Sequence, residues 1–315
     1  RSRVVGVLGL WRKGDAPQVV GDRSLQPGAG SPLGTATARL GPGRLVIDLG
    51  NSVPETGPDL TKQNLGPLTV FAGAQRIATL QPTDYDRTAY ERSAGLVTVP
   101  LSGEAEQAAA SADLVVRDSA GTALLQEVPM HVCEITPNVY LDPSEPTHLQ
   151  VQVLQRGAAV GQGVPVYWVN TSTSAPTLEV TETDPNGVAA LAVSGATSNL
   201  IGQIDCYVAS TDQPPPAAVD TQRTAYLWVR TLPGGDDVAG LAPTWQNVYE
   251  NVLYNWHAMA PCMDNWLRLD DPAQVAAYGT LIKQLTDRNN FERQRFMPVT
   301  RDLTAGQRTL LYAWL

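Results

Sequence analysis

The segment Trp256-His257-Ala258-Met259-Ala260-Pro261-Cys262-Met263 carries the densest group of side chains in this sequence that could do chemistry. Imidazole with thioether is an axial haem pair, and imidazole with thiolate and thioether can bind copper or zinc. His257, Met259 and Cys262 are therefore the candidate metal or haem ligands of an oxidoreductase component. The spacing works against them. His257 and Cys262 are five apart on a helix interrupted by Pro261, whereas helical neighbours stand three or four apart, and no C-x-x-C-H exists for covalent haem. The competing expectation is helix-to-helix packing for Met259, Cys262 and Met263.

Other reactive groups are scattered. His131 and Cys133 share one face of an apparent strand, but two ligands do not make a zinc site, so a buried thiol beside a hydrogen-bonded imidazole is expected. Glu145-Pro146-Thr147-His148 spells the Glu-x-x-His of di-iron bundles, yet that motif needs a helix, and Pro146 puts it in a loop entering a strand. There is no G-x-S-x-G, H-E-x-x-H, Walker loop or strand-borne G-x-G-x-x-G. Asp184, Asp205 and Asp220 read as turn or strand-face residues, and Asp270-Asp271 as a helix start. Asn170-Thr171-Ser172 fits the glycosylation acceptor pattern, which occurs often by chance, and Gln213-Pro214-Pro215-Pro216 reads as a rigid spacer.

The elements that must position these groups change character along the chain. Up to about residue 135, short runs such as Leu45-Val46-Ile47-Asp48-Leu49 alternate apolar and polar residues with the period of a half-buried strand. Arg1 to Leu10 reads as a first strand, and Gly14 to Gly43 as a long Pro/Gly-rich connection without periodicity. Between Ile135 and Leu232, strands recur every 8–12 residues or so, the rhythm of an immunoglobulin-like sandwich. After Leu232-Pro233-Gly234-Gly235 the period becomes helical. Trp245, Val248, Tyr249, Val252, Leu253 and Trp256 form one stripe behind Thr244 as N-cap; Asp271-Pro272 opens a second helix, and Thr304 to Gln307 is a capping box for a third.

The 315 residues, with 43% apolar and 17% charged content, exceed one ordinary domain and favour sheets and loops over long solvated helices. The 22 basic and 31 acidic residues give a net charge of −9. The helical end from residue 243 carries seven of each sign, so the whole imbalance (15 minus 24) lies upstream. That sign repels phosphate backbones and anionic head groups, which argues against nucleic-acid and membrane partners. No apolar run is long enough for a membrane helix. Nineteen of the 22 basic residues are Arg, a bias typical of GC-rich bacterial coding, and three widely spaced cysteines, Cys133, Cys206 and Cys262, make no disulfide framework. Reduced thiols in a bacterial cytoplasm are expected, with a secreted or surface location as the alternative. The missing Met at residue 1 suggests a processed product or the later part of a longer chain.

Two pieces carry a family likeness. Arg3 to Leu10, Leu45-Val46-Ile47-Asp48-Leu49-Gly50-Asn51-Ser52-Val53-Pro54 and Asn64-Leu65-Gly66-Pro67-Leu68 resemble the β region that follows the ferritin-like domain in bacterial violacein-type iminophenylpyruvate dimer synthases and chromopyrrolate synthases. Met297-Pro298-Val299-Thr300-Arg301-Asp302-Leu303 looks like a tail of bacterial ferritin-like proteins, and Gly163-Val164-Pro165-Val166 with the Asp184/Gly187 turn resembles invasin-type Ig-like domains. The first likeness implies metal-dependent oxidative coupling on amino-acid-derived substrates, with iron or haem held in a ferritin-like domain. This sequence shows no paired Glu-x-x-His helices, so no catalytic residue of that family maps onto it.

The resulting expectation is a mainly β protein: two antiparallel β-sandwich domains (1–135 and an Ig-like 136–232), a 233–242 linker and a small α-helical domain (243–315). No catalytic residue and no cofactor is assigned to the chain itself. Its expected role is a non-catalytic accessory module that docks on a ferritin-like partner or on its own copies, with Trp245, Trp256 and Trp266 as the interaction residues. The alternatives are an extracellular Ig-like structural or adhesion protein and the metal- or haem-binding component at His257, Met259 and Cys262.

Overall fold

The computed structural model describes residues 22–172, 178–196, 202, 204–213, 224–263, 266–291 and 293–315, without the side chains of Cys262 and Met263. The strand expected at Arg1 to Leu10 and the Pro214 to Pro216 spacer lie outside the described residues. The protein is mainly β, built of antiparallel sheets, and its contacts separate two compact units. Unit 1 contains Arg1–Pro137, His148–Ala192 and Cys206–Trp228; unit 2 contains Asn138–Thr147, Val193–Asp205 and Val229–Leu315.

Unit 1 begins with β1 (Arg23–Pro27), β2 (Ala36–Gly41), β3 (Arg44–Asp48), the two-residue pair β4 (Glu55–Thr56) and β5 (Thr61–Lys62), β6 (Leu68–Ala72) and β7 (Gln75–Leu80). Helices α1 (Pro82–Tyr85) and α2 (Arg87–Ser93), then β8 (Leu96–Pro100), α3 (Gly103–Ser111), β9 (Leu114–Arg117) and β10 (Ala123–Glu127) follow. Eight of these strands join in one antiparallel sheet, in the order β7-β6-β9-β10-β1-β2-β3-β8. The alternation read in β3 holds: Leu45 and Ile47 are wholly buried, opposite Val99 and Val97 of β8, while Arg44 and Asp48 face outward. Leu25, Leu68, Val70, Leu114, Val116 and Leu125 complete this core, each side chain contributing about 1.5–3 kcal/mol by leaving water.

Two features depart from the sequence expectation. The described part of the connection from Gly14 to Gly43 holds β1 and β2. β1 has a single aliphatic residue, Leu25, and its buried Arg23 is matched to Glu127 of β10 rather than to solvent. Arg23 Nε donates to Glu127 Oε1 at 2.7 Å, its Nη2 donates to Oε2 and to the Ala112 carbonyl, and its Nη1 donates to the Ala109 carbonyl. Glu127 Oε2 also accepts from Leu114 N–H at 2.7 Å. A buried polar pair of this kind leaves no alternation for a hydropathy pattern to show. The second departure is the helices. α3 starts at Ser102, whose hydroxyl accepts from Ala105 N–H, and it seats Ala105 and Ala109 in the core, too small an apolar stripe to stand out among Glu, Gln and Ala.

Beyond residue 130 the strands are β11 (Met130–Glu134), β12 (Asn138–Leu141), β13 (Pro146–Gln155), β14 (Ala158–Ala159), β15 (Pro165–Asn170), β16 (Leu178–Glu182), β17 (Val188–Ser194), β18 (Ile204–Ser210) and β19 (Ala225–Thr231). β11, β13, β14 and β17 make a four-stranded sheet; β12-β19-β18-β15-β16 is the order of a five-stranded one. This is the two-sheet composition of an Ig-like sandwich. Leu149, Val151 and Val153 are buried as their alternation predicts, and Trp168 is buried with its indole N–H donating to Thr181 Oγ1 at 2.8 Å. The Asp184 turn forms as expected: its carboxylate accepts from Asn186 and Val188 N–H, and Gly187 sits at φ +75°.

Unit 2 carries α4 (Asp236–Ala239), α5 (Trp245–Val248), a π turn (Tyr249–Leu253), α6 (Tyr254–Met259), α7 (Pro272–Ala277), α8 (Gly279–Thr286) and α9 (Ala305–Trp314). Thr244 caps α5, Asp271 caps α7, and the capping box at Thr304 and Gln307 is complete. The amphipathic helix expected from Trp245 to Trp256 forms without interruption and carries a wider π turn at its middle, a form common at functional sites. Val248, Val252, Leu253, Val275, Leu303, Leu310 and Leu311 form the core of the unit. Among the described residues no helix is long and apolar enough to cross a membrane.

Candidate functional site

Of the residues singled out in Trp256 to Met263, Trp256 and Met259 line an apolar cavity of about 410 Å³ in unit 2. α6 contributes Trp256 and Met259, the following segment Trp266, Leu267 and Leu269, and α8 contributes Leu281, Ile282 and Leu285. The fourth wall is Met297-Pro298-Val299-Thr300, the tail segment that resembles ferritin-like proteins. That wall is pinned by Arg301. Its Nε donates to the Phe291 carbonyl at 3.0 Å, its guanidinium lies over Phe291 and Phe296, and Phe296 is itself buried. Phe291 packs in turn on Tyr140 and on the Arg288 guanidinium.

No charged side chain lines the described cavity. Its two hydroxyls are committed elsewhere: Thr286 Oγ1 donates to the Ile282 carbonyl and lies 2.9 Å from the Tyr312 hydroxyl, and Thr300 donates to Asp302. Trp266 stands 55% exposed and meets Tyr278 edge-on; Met259 is 44% exposed. Exposed aromatic and thioether groups lining a concave apolar wall are the features of a binding surface rather than of a solvated face.

The three candidate ligands part company here. His257 Nδ1 lies 2.8 Å from the Tyr249 hydroxyl, and its Nε2 faces Asp270 Oδ1 at 3.8 Å. With its proton on Nε2, the imidazole accepts from tyrosine and points its N–H at the carboxylate. Met259 instead forms part of the cavity wall, and the side chain of Cys262 is outside the described residues. Hydrogen bonds from Arg268 hold the Asp270 carboxyl below the usual range, with the charge of Arg268 adding to the effect. Among the described residues no three His, Cys, Asp or Glu side chains are grouped to hold a metal.

The tryptophans also divide. Trp245 stacks on Tyr249 and packs on Trp314 within the core of its own unit, whereas Trp256 and Trp266 face the cavity. His131 and Cys133 lie in β11 opposite Leu154 and Gln152; burial lowers the imidazole pKa and, with Glu134, pushes the thiol up to about 12. Glu145 enters β13 rather than a helix and accepts from Asp142 N–H and Arg288. Asn170 closes a turn onto Ser172 N–H. Leu281, Met297 and Val299 are cavity residues that sequence reasoning missed. Leu281 lies beside Ile282 on α8, and the other two lie in a segment without periodicity.

No protein-family model matches the chain. A curated relative, 2-imino-3-(indol-3-yl)propanoate dimerase of Chromobacterium violaceum, is 23% identical over an alignment of 336 positions that covers 99% of this chain and 31% of the relative. The chain therefore spans about a third of that protein's length. This agrees with the violacein-type resemblance without placing the chain in the family. Among solved structures, Escherichia coli α2-macroglobulin matches 66% of this chain at 15% identity and TM-score 0.24, covering 12% of that protein. The ectodomain of the teleost fish polymeric Ig receptor matches 60% at 11% identity and TM-score 0.24, with 91% of its own chain covered. Fibronectin(III)-like modules of Clostridium thermocellum CbhA match 60% at 10% and 0.20, with 85% of theirs.

Proposed function

We propose that this chain is a non-catalytic β scaffold with a helical docking unit, working as the accessory portion of a metal-dependent imino-acid coupling system related to 2-imino-3-(indol-3-yl)propanoate dimerase. The observation that carries this reading is the likeness along 99% of the chain to only 31% of that dimerase. The chemistry would then reside on a ferritin-like domain, in keeping with a chain whose described residues hold no grouped metal ligands. Unit 1 supplies a rigid β support, and the side chains around Trp256 and Trp266 in unit 2 supply contact surface.

The test is direct mixing of the purified chain with a separately purified ferritin-like domain from such a dimerase, followed by light scattering after size exclusion. The reading expects a stoichiometric complex and faster coupling of the imino acid than with the ferritin-like domain alone. Two independent elution peaks at micromolar concentration, with unchanged coupling, would overturn it.

A further inference from the structure

We infer that the cavity of unit 2 is a binding site for a small, uncharged, planar aromatic ring. Its volume of about 410 Å³ falls within the roughly 300–1,000 Å³ range of small-molecule pockets. The described lining is hydrocarbon, thioether and indole, and both hydroxyls are already paired, so a ligand with a polar group inside would leave it unsatisfied at a cost of about 1–3 kcal/mol. An aromatic ring avoids that penalty. It also gains edge and face contacts with Trp256 and Trp266 and sulfur contacts with Met259 and Met297, which an aliphatic chain makes less well.

The site is built and supported. The Met297 to Thr300 wall is held by Arg301 against Phe291 and Phe296, and α8 is tied to α9 through Thr286, Tyr312 and the Lys283 carbonyl. Trp266, the most exposed aromatic of the lining, stands where a ring would enter, braced edge-on by Tyr278.

The experiment uses the full chain labelled at its methionine methyl groups and titrated with indole. The expected result is saturable shifts of the Met259 and Met297 methyls, with Met130 unmoved. Leu281 is 36% exposed, so Leu281→Glu is tolerated by the fold and places a charge at the cavity. That variant is expected to melt as the parent does and to lose at least tenfold in indole affinity. Decanoate is the straight-chain comparison. Absent shifts at saturating indole, equal shifts in Leu281→Glu, or stronger binding of decanoate than of indole would each overturn the assignment. So would shifts of the same methyls with protein concentration alone, which would mean that a second copy fills the cavity.

Discussion

Arg23 and Glu127 show how one pair of residues holds a sheet that hydrophobic contacts alone would leave incomplete. Both side chains are 1% exposed, and each nitrogen of the guanidinium donates to an acceptor. Breaking such a pair strands a charge, so Glu127→Leu should cost about 3–5 kcal/mol in urea unfolding. Arg23→Met with Glu127→Leu should recover much of that loss, because the charge disappears along with its partner. Burial acts differently on Cys133, whose thiol is pushed up to about 12. The native protein should therefore leave Cys133 unmodified by a thiolate-selective reagent at pH 8, whereas the urea-unfolded chain reacts. His131 adds a pH dependence of stated sign. Its folded pKa lies below 6.5, chiefly through burial and against the pull of Asp22, so the unfolded chain binds the proton first. Stability should fall as pH drops below 6.5, and the slope should lessen in His131→Gln. The Arg23–Glu127 match was not legible from residue types: the two are 104 residues apart, and they meet only once β1 lies beside β10.

Elements with a strong period or a cap were the legible ones. β3, β13 and the box at Thr304 form as read, because each carries its signal within ten residues. α3 and β1 did not show themselves, since one is Ala-rich and the other buries an ion pair. The stretch 233–242, read as a linker, contains α4 against the start of α9, and glycine permits the approach. A Cβ on Gly306 would stand 1.8 Å from the Gly235 carbonyl oxygen, where Gly306 N–H already donates to the Gly234 carbonyl at 2.9 Å. Gly306→Ala should cost at least the upper part of the about 1–3 kcal/mol typical of overpacking, read as a lower melting temperature in near-ultraviolet circular dichroism. Thr304→Ala at the same helix start should cost only about 1 kcal/mol, the value of a lost cap. The cavity was half legible. Trp256, Met259 and Trp266 drew notice by type, whereas its other walls come from α8 and from an aperiodic tail, and their convergence is a property of packing.

For the molecule as a whole, the helical sequence is not a self-contained piece. Unit 2 draws in Asn138–Thr147 and Val193–Asp205 besides its C-terminal helices. Arg288 donates to the Tyr140 carbonyl and to Glu145 at 3.0 Å, Phe291 packs on Tyr140, and Arg308 pairs with Asp142 at 3.6 Å. Residues 233–315 expressed alone would lose all of these partners. They should give helical circular dichroism without a cooperative melt, whereas the full chain melts cooperatively; a sharp transition in the isolated piece would refute this. The composition anticipated a change from sheet to helix near Leu232, but a periodicity cannot reveal that ten residues of the earlier sequence are packed among the later helices. The contact from Arg288 to Tyr140 bridges 148 residues of chain. At a synthesis rate of roughly 5–20 residues per second, Tyr140 is added to the chain about 7–30 s before Arg288. During that interval its carbonyl and the Glu145 carboxylate must wait for a guanidinium not yet made, so these contacts of unit 2 can close only after residue 288 has been added.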